Sequence, residues 1–223
     1  VHEQTVVLGG RELVEDREPR EIDVAATAHL LEPERCLHAA DHQQRVAAAE
    51  LGADYQVALG MRYGEPSLPR ALDELMRHDP ARILVVPLFP QYASSSTGSA
   101  LARIHGLVAE RWNVPALESL PEFFDEPGFI AALAEIAKPR LDAFRPDHVL
   151  FSYHGLPERQ VRKSDTSGRH CLESAGCCDA IGAANRHCYR AQCYATSRAL
   201  AAALALAPEG CSTSFQSRLG RTP

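Results

Sequence analysis

An uninterrupted apolar run, RILVVPLFP at Arg82–Pro90, limits most strongly what this chain can fold into. A strand with one face in solvent alternates apolar and polar residues, whereas a parallel strand buried on both faces is apolar throughout. A second run of the same kind begins within DHVLFSYHGLP, Asp147–Pro157. Both runs therefore predict strands of a parallel sheet that helices cover on its two faces.

Helical and extended patterns alternate along the chain from residue 39 onwards. Apolar spacing predicts helices at Asp41–Gly52, Glu65–Asp79, Ser96–Trp112, Gly128–Phe144 and Ala195–Ala207, and further strands at Tyr55–Tyr63, Val114–Leu120 and Ser212–Gly220. Pro139 lies inside the fourth helix and should bend or divide it. This alternation is typical of βαβ units, so the predicted fold class is α/β.

Two α/β units are predicted, joined near residues 121–146 by a segment that begins with the turn residues PEFFDEPG. The first unit takes residues 39–125, and the second takes residues 126–223 with a cysteine insertion at 170–193. Residues 1–38 are charged and poorly periodic, and we interpret them as a divergent or mistranslated segment. Because the chain stops directly after a predicted strand, we expect a fragment whose two units are both incomplete.

The charge and the apolar content exclude several classes of protein. A net charge of −6 over 223 residues argues against a protein that binds nucleic acid along its length. No apolar run approaches the roughly 18 residues that a membrane-spanning helix needs, and the first residues lack the features of a signal peptide. We therefore expect a cytoplasmic protein, in which thiols stay reduced.

Five of the seven cysteines lie in one segment of 170–193, at Cys171, Cys177, Cys178, Cys188 and Cys193. An odd number of unevenly spread thiols fits a disulfide framework badly, which favours metal or cluster ligation. Four thiolates suit an iron–sulfur cluster or a tetrahedral zinc ion. The spacing matches no short C-x₂-C zinc pattern, so a cluster is favoured. One thiol is then spare, and we expect the adjacent pair to supply one ligand.

Two alternatives stay open for the cysteine segment. His170 and His187 each precede a cysteine, which would also suit a mixed zinc site. The other alternative is a set of free buried thiols with no bound metal, since cysteine is among the residues most often buried.

His154 ends the second apolar run and precedes Gly155 and Pro157. Ligands of open α/β sheets lie outside the carboxyl ends of the strands, which makes this position a candidate for chemistry. Glycine lets the chain turn away sharply, and a neutral imidazole can bind a divalent metal or accept a proton. The alternative is a buried histidine that is hydrogen-bonded to the backbone.

Two other predicted strand ends carry polar side chains. Arg62 and Tyr63 follow one strand, and an arginine there suits a carboxylate ligand, with a surface salt bridge as the alternative. The loop Pro87–Ala100 follows another strand, and its hydroxyls could bind a polar or anionic ligand. Helix capping by Thr97 or Ser99 would explain part of the same pattern.

The strings GMRYGEPS, PLFPQY, FSYHGLPER and TSFQSRLGRTP resemble those of the ferrochelatase family, in the same order, from about residue 55 to the end. The resemblance implies two Rossmann-like, chelatase-type units with parallel sheets around a porphyrin cleft. It also implies that His154 is the catalytic residue that contacts the metal. The porphyrin site is then expected to include Arg62, Tyr63, Gln91, Tyr92, Ser95, Ser96 and Thr97.

The activity implied is insertion of Fe²⁺ into protoporphyrin IX, the last step of haem biosynthesis. Porphyrin and ferrous iron are the partners expected, and a homodimer is a candidate assembly. Some bacterial members carry a [2Fe–2S] cluster in a cysteine insertion just after the histidine motif, and residues 171–193 resemble that insertion. The alternatives are a chelatase for coproporphyrin or sirohydrochlorin and a non-catalytic iron–sulfur or zinc module.

The resemblance departs from the family in three places. An opening strand with an NLGTP-like turn is not found, and Ala93 stands where a serine is more usual. The acidic partner of the histidine is expected beyond Pro223.

Overall fold

The computed structural model describes residues 4–10, 42 and 44–216, with only the backbone of residues 4–10. Of these, residues up to 90 and 94–122 form one compact unit, and residues 91–93 and 123–216 form another. Both units mix helices with strands, which confirms the predicted α/β fold class. None of the described helices has the length and apolar content needed to cross a membrane.

The first unit contains a four-stranded sheet in the order β2-β1-β3-β4. Its strands are β1 (Gln4–Gly10), β2 (Tyr55–Met61), β3 (Arg82–Pro87) and β4 (Ala116–Ser119). Strands β3 and β4 pair in parallel, with Ile83 opposite Leu117. Strand β1 runs antiparallel to both of its neighbours, β2 and β3.

Strand β1 differs from the expectation for residues 1–38, where no strand was predicted, and from the expectation of a wholly parallel sheet. The run TVVLGG at Thr5–Gly10 is too short for its periodicity to stand out from the charged sequence around it. The preference of a residue for strands depends strongly on its neighbours in the sheet. Backbone pairing with two strands therefore accounts for β1 better than its own pattern does.

Helices cover both faces of this sheet: α1 (44–51), α2 (Leu68–Met76) and α3 (Ser99–Ala109). Helices α2 and α3 contribute to the larger core, which contains Ala58, Leu68, Ala71, Leu72, Leu75, Ile83, Val85, Ile104, Leu107 and Val108. On the opposite face, Leu59 packs with Leu51, Val57, Leu84, Val86 and Leu88. Successive side chains of a strand point to opposite faces, so β3 contributes to both cores, as its apolar run predicted.

The second unit contains a parallel pair of strands, β5 (Val149–His154) and β6 (Cys211–Gln216). Its helices are α4 (Pro127–Phe144), α5 (Glu158–Lys163) and α6 (Tyr189–Ala203). Helix α6 begins directly after Cys188, six residues before the predicted start at Ala195. Residues 217–223 lie outside the described residues, and they include the last four residues of the predicted strand Ser212–Gly220.

Helix α4 continues through Pro139 to Phe144, so of the two predicted effects, a bend or a division, the division is wrong. Proline removes one backbone hydrogen bond from a helix interior. The remaining bonds of the 18-residue helix, and the burial of Phe129 and Ile130 near its start, hold the helix together. Glu126 caps that start, since its carboxylate accepts a hydrogen bond from the N–H of Phe129 at 2.9 Å.

Candidate functional site

His154 is half-buried and is the last residue of β5. His154 lies opposite Gln216, the last described residue of β6, and the N–H of Gly155 donates to the Gln216 carbonyl at 2.7 Å. Within residues 44–216, the imidazole has no hydrogen-bond partner. A structural histidine bonded to backbone was the alternative, and this geometry does not support it. Among the described residues, neither ring nitrogen has a partner at this end of β5, where ligands of open α/β sheets lie.

Two tyrosines lie close to His154 on the side of α6. Burial raises the pKa of Tyr189, the charge of Cys193 raises it as well, and the backbone of His154 lowers it. Ser197 donates a hydrogen bond of 3.1 Å to the hydroxyl of Tyr153. Burial raises the pKa of Tyr153 to about 12. Both phenols are therefore neutral at physiological pH.

Four cysteines pack in one buried cluster, which we call the thiol group: Cys171, Cys177, Cys178 and Cys188. The sulfurs of Cys177 and Cys178 are 3.8 Å apart, and the thiol of Cys188 hydrogen-bonds to those of Cys171 and Cys178. The fifth candidate, Cys193, is buried outside this cluster and bonds to Tyr189. Both members of the adjacent pair lie in this group, and the expectation that the pair supplies one ligand stays a prediction.

The thiols of this group differ in pKa. The hydrogen bond from Cys178 is the main cause that lowers the pKa of Cys188 to about 6. Burial raises the pKa of Cys171 to about 12, and the hydrogen bond to Cys188 raises that of Cys178. Cys188 is therefore the thiol best able to ionise first, and thiolate is the form that binds metals.

Arg190 brings a positive charge to the thiol group. One terminal nitrogen lies 3.2 Å from the sulfur of Cys178 and 3.7 Å from that of Cys177. Its Nε is buried without a hydrogen-bond partner among the described residues. An unpaired buried donor costs about 1–3 kcal/mol. The site is thus suited to an anionic group that carries further acceptors.

Asp165 organises the beginning of the cysteine segment. Its carboxylate accepts hydrogen bonds of 2.7 to 3.1 Å from Ser167, Gly168, His170 and Cys171. The bond from the Cys171 N–H is the largest cause that holds the pKa of Asp165 well below its usual range. This loop therefore has its shape fixed by a carboxylate rather than by regular secondary structure.

One ring nitrogen of each histidine of the segment has a partner that is not a thiol. A ring nitrogen of His170 lies 3.0 Å from the carbonyl oxygen of Cys177, and Arg186 donates to His187 at 2.9 Å. The mixed zinc site is therefore not supported. Across the described part of the chain, no three His, Cys, Asp or Glu side chains already stand in an arrangement that could hold a metal ion.

In the first unit, Arg62 directly follows β2. Its Nε donates to the hydroxyl of Ser99 at 2.9 Å, and its guanidinium carbon lies 4.5 Å from the centre of the Tyr63 ring. Tyr63 itself is 52% exposed. This pair is held in place and still open to solvent, as a site for a carboxylate requires.

The loop after β3 forms a π-helical turn at Ser94–Gly98 that leads into α3. No side chain caps α3, so the alternative that Thr97 or Ser99 is a cap does not hold. The hydroxyl of Thr97 is buried with no partner in residues 44–216. Ser95 is exposed and Ser96 half-buried. A π-helical turn of this kind is frequent at functional sites.

Gln91 and Tyr92, also predicted to bind the ligand, bond to α6 within the second unit. The Gln91 amide donates to the hydroxyl of Thr196 at 2.9 Å, and the backbone N–H of Tyr92 donates to the Gln192 side chain at 2.6 Å. Thr196 in turn donates to the carbonyl of Phe124 at 2.6 Å. These two candidates therefore have structural roles as well.

The polar side chains of α6 were not among the predicted site residues, namely Tyr189, Arg190, Gln192, Thr196 and Ser197. A signal was present, since Tyr189, Cys193 and Ser197 recur every four residues and share one face of a helix. The prediction placed the start of the helix at Ala195, which left most of this pattern in the cysteine segment.

Similarity to known proteins identifies the family of this chain. The ferrochelatase family model matches residues 36–223. A ferrochelatase from Legionella pneumophila (strain Corby) is 45% identical over 171 residues, which cover 76% of this chain and 49% of that protein. A ferrochelatase from Coxiella burnetii (strain RSA 493) is 42% identical over 171 residues, 77% of this chain and 47% of that protein. The chain thus spans about half the length of the curated relatives it matches, and it belongs to the ferrochelatase family.

Proposed function

We propose that this chain is part of a ferrochelatase that inserts Fe²⁺ into protoporphyrin IX in the last step of haem biosynthesis, with His154 as the catalytic residue. The observation that carries the proposal is an imidazole without a hydrogen-bond partner in residues 44–216, at the carboxyl end of β5 and opposite Gln216 of β6. The reaction replaces two pyrrole protons by one Fe²⁺. A neutral imidazole can contact the metal or accept one of these protons.

The porphyrin is proposed to bind through side chains that combine charge, hydroxyl groups and aromatic rings. Arg62 suits a propionate, because a guanidinium binds a carboxylate through two parallel hydrogen bonds. Thr97 is also proposed to bind the porphyrin, since its buried hydroxyl has no partner among the described residues. The other residues proposed to contact the porphyrin are Tyr63, Gln91, Tyr92, Ser95 and Ser96.

Substitution of His154 tests the proposal. A positioned acid–base group contributes about 10²–10⁴-fold to a rate, so His154→Ala should slow metal insertion by a comparable factor. His148→Ala is the matched control, because His148 is exposed at the opposite end of β5 and bonds to Ser212 at 2.8 Å. Insertion is followed by porphyrin fluorescence, with protoporphyrin, coproporphyrin and sirohydrochlorin as substrates. Equal rates for the wild type and His154→Ala would contradict the catalytic role.

We further propose that the thiol group binds a [2Fe–2S] cluster through Cys171, Cys177, Cys178 and Cys188. Two thiolates at about 2.3 Å from one tetrahedral metal are about 3.8 Å apart, and the sulfurs of Cys177 and Cys178 are separated by 3.8 Å. Arg190 also fits, since its charge and its unpaired Nε suit an anionic cluster with sulfide acceptors. When bound, the cluster would supply one-electron redox chemistry and a cross-link among four chain positions.

Five serine substitutions test the ligand set. Cys171→Ser, Cys177→Ser, Cys178→Ser and Cys188→Ser should each lose bound iron, acid-labile sulfide and visible absorption. Cys193→Ser is the matched control and should keep all three. Cys193→Ser could instead lose the iron, the sulfide and the absorption while either Cys177→Ser or Cys178→Ser keeps them. This result would support the expectation that the adjacent pair supplies one ligand. A colourless protein that contains zinc would contradict the cluster itself.

A further inference from the structure

We propose that Gln192 is a positioning residue for the porphyrin site, because its buried amide joins the backbone of Tyr92 to the backbone of Arg186 in the cysteine segment. This inference rests on the proposed binding of the porphyrin by Gln91 and Tyr92, and it does not depend on what the thiols bind. All of these residues lie in the second unit. Gln192 acts on the porphyrin through Tyr92, without a contact of its own.

The amide of Gln192 is fully buried near the start of α6. Its oxygen accepts a hydrogen bond from the N–H of Tyr92 at 2.6 Å, and its nitrogen donates to the carbonyl of Arg186 at 2.6 Å. A reversed amide would bring its NH₂ group to an N–H and its oxygen to a carbonyl, so only this orientation satisfies both partners. The side chain therefore fixes the distance between the backbones of Tyr92 and Arg186.

Helix α6 holds the two loop residues at points one helical turn apart. Gln91 donates to the hydroxyl of Thr196 at 2.9 Å, four residues after Gln192. That hydroxyl also lies 3.1 Å from the carbonyl oxygen of Gln192. Residues four apart share one face of a helix. Gln91 and Tyr92 are therefore positioned together by this face of α6, and Gln192 is the residue of the face that also bonds to the cysteine segment.

The residues on either side of Arg186 are fixed as well. Asn185 is buried and donates to the carbonyl of Cys177 at 2.9 Å, which ties it to the loop that carries the thiols. The ring centroid of His187 lies 5.6 Å from that of Tyr92. The position of Tyr92 therefore depends on the fold of the cysteine segment, through one buried amide and one ring contact.

Gln192→Met tests the inference, because methionine has a similar length and no hydrogen-bonding amide. The loss of a hydrogen bond typically weakens an interaction by up to about 10-fold. We expect the KM for protoporphyrin to rise by about 10-fold with kcat unchanged, since the lost interaction contributes equally to binding of the substrate and of the transition state. Gln44→Met is the matched control and should leave KM unchanged, because Gln44 donates to the carbonyl of Val57 at 2.8 Å in the first unit.

Two measurements need no turnover. Titration of protoporphyrin fluorescence should give a Kd about 10-fold higher in Gln192→Met than in the wild type and in Gln44→Met. Hydrogen exchange of the Tyr92 amide, measured without porphyrin, should become faster in Gln192→Met because its acceptor is removed.

Removal of a fully buried amide also destabilises α6, so the ring contact gives a second test. His187→Ala removes the ring that lies beside Tyr92. We expect the Kd for protoporphyrin to rise by about 3-fold, since the energy of one aromatic pair is lost while the Gln192 amide stays. His148→Ala, which is also the control for His154, should leave this Kd unchanged.

Tyr92→Ala separates the inference from the proposed function, because Tyr92 is itself proposed to contact the porphyrin. A raised Kd in Tyr92→Ala, with an unchanged Kd in His187→Ala and in folded Gln192→Met, would overturn the positioning role alone. An unchanged Kd in Tyr92→Ala would overturn the proposed porphyrin contact, and the inference with it. A lowered kcat with an unchanged KM in Gln192→Met would contradict the inference, since it would place the effect in metal insertion rather than in porphyrin binding.

Discussion

The two units of this protein bury different kinds of side chain. The larger core of the first unit contains only alanine, leucine, isoleucine and valine, including Ile83 and Leu75. The second unit buries cysteines and, among the described residues, five of the six buried polar or charged side chains. Apolar burial stabilises a unit by itself, whereas buried thiols and polar groups depend on every partner being present. The second unit should therefore be the more sensitive to what is bound to it.

Removal of the proposed cluster should give the largest difference between the two units. Binding of a structural metal by thiolates contributes on the order of 10 kcal/mol to folding. A chelator or Cys188→Ser should thus increase hydrogen exchange across residues 123–216 and leave residues 44–90 unchanged. Limited proteolysis gives an independent measurement of the same contrast.

A core substitution in the first unit provides the control for that experiment. Ile83 is fully buried, and Ile83→Ala should cost about 2–5 kcal/mol by deleting apolar contacts and leaving a cavity. Exchange in residues 44–90 should rise while the iron content stays the same. Equal loss of protection in both units after chelation would show that the comparison is wrong.

Substitution of one buried threonine in each unit should have a smaller effect. The free energy of unfolding should fall in the second unit and should not fall in the first. Thr196 accepts a hydrogen bond from Gln91 and donates one to Phe124. Thr196→Val should destabilise the second unit by about 1–3 kcal/mol, because it leaves these partners unpaired. Thr97→Val should be neutral or slightly stabilising, since no partner of its hydroxyl lies among the described residues. Denaturant unfolding of each variant measures the difference, and equal costs would contradict it.

Acid should weaken the second unit first, and this is the smallest of the effects. Hydrogen bonds, above all from the Cys171 N–H, keep the pKa of Asp165 below its value in the unfolded chain, which is about 3.9. A lowered pKa stabilises the folded state above the unfolded pKa, and this contribution is lost as the pH falls towards the folded pKa. Asp165→Asn should therefore be less stable than the wild type at pH 7, and the difference should shrink below about pH 4. A constant difference from pH 7 to pH 3 would contradict the role of its charge.

The difference between apolar burial and burial of thiols and polar groups also explains which parts of the structure could be predicted from the sequence. Strands β2, β3 and β5 and helices α2 to α4 follow from apolar periodicity, because burial of a continuous face determines them. Strand β1 could not be predicted, since its place depends on pairing with distant strands. The position of His154 at a strand end was predictable for the same reason as β5 itself.

The thiol group was only partly predictable. Spacing identified five candidate cysteines, but the loop that gathers four of them has no regular secondary structure. Its shape depends on bonds from side chains to backbone, such as those of Asp165 to Cys171 and of Asn185 to Cys177. Such bonds have no periodicity in sequence. For this reason the separation of Cys193 from the others, and its contact with Tyr189, could be seen only in the structure.

Helix α6 carries Tyr189, Cys193 and Ser197 on one face and Arg190 on another face beside the thiol group. These two faces restrict how this part of the protein can change length during evolution. Each residue of a helix turns the chain by about 100°. A single insertion between Tyr189 and Ser197 would therefore carry one of these hydroxyls away from β5. Insertions in the loop that contains Leu172–Asp179 would leave the helix in phase. Natural length variants should accordingly accumulate before Cys188 and be absent from the first two turns of the helix.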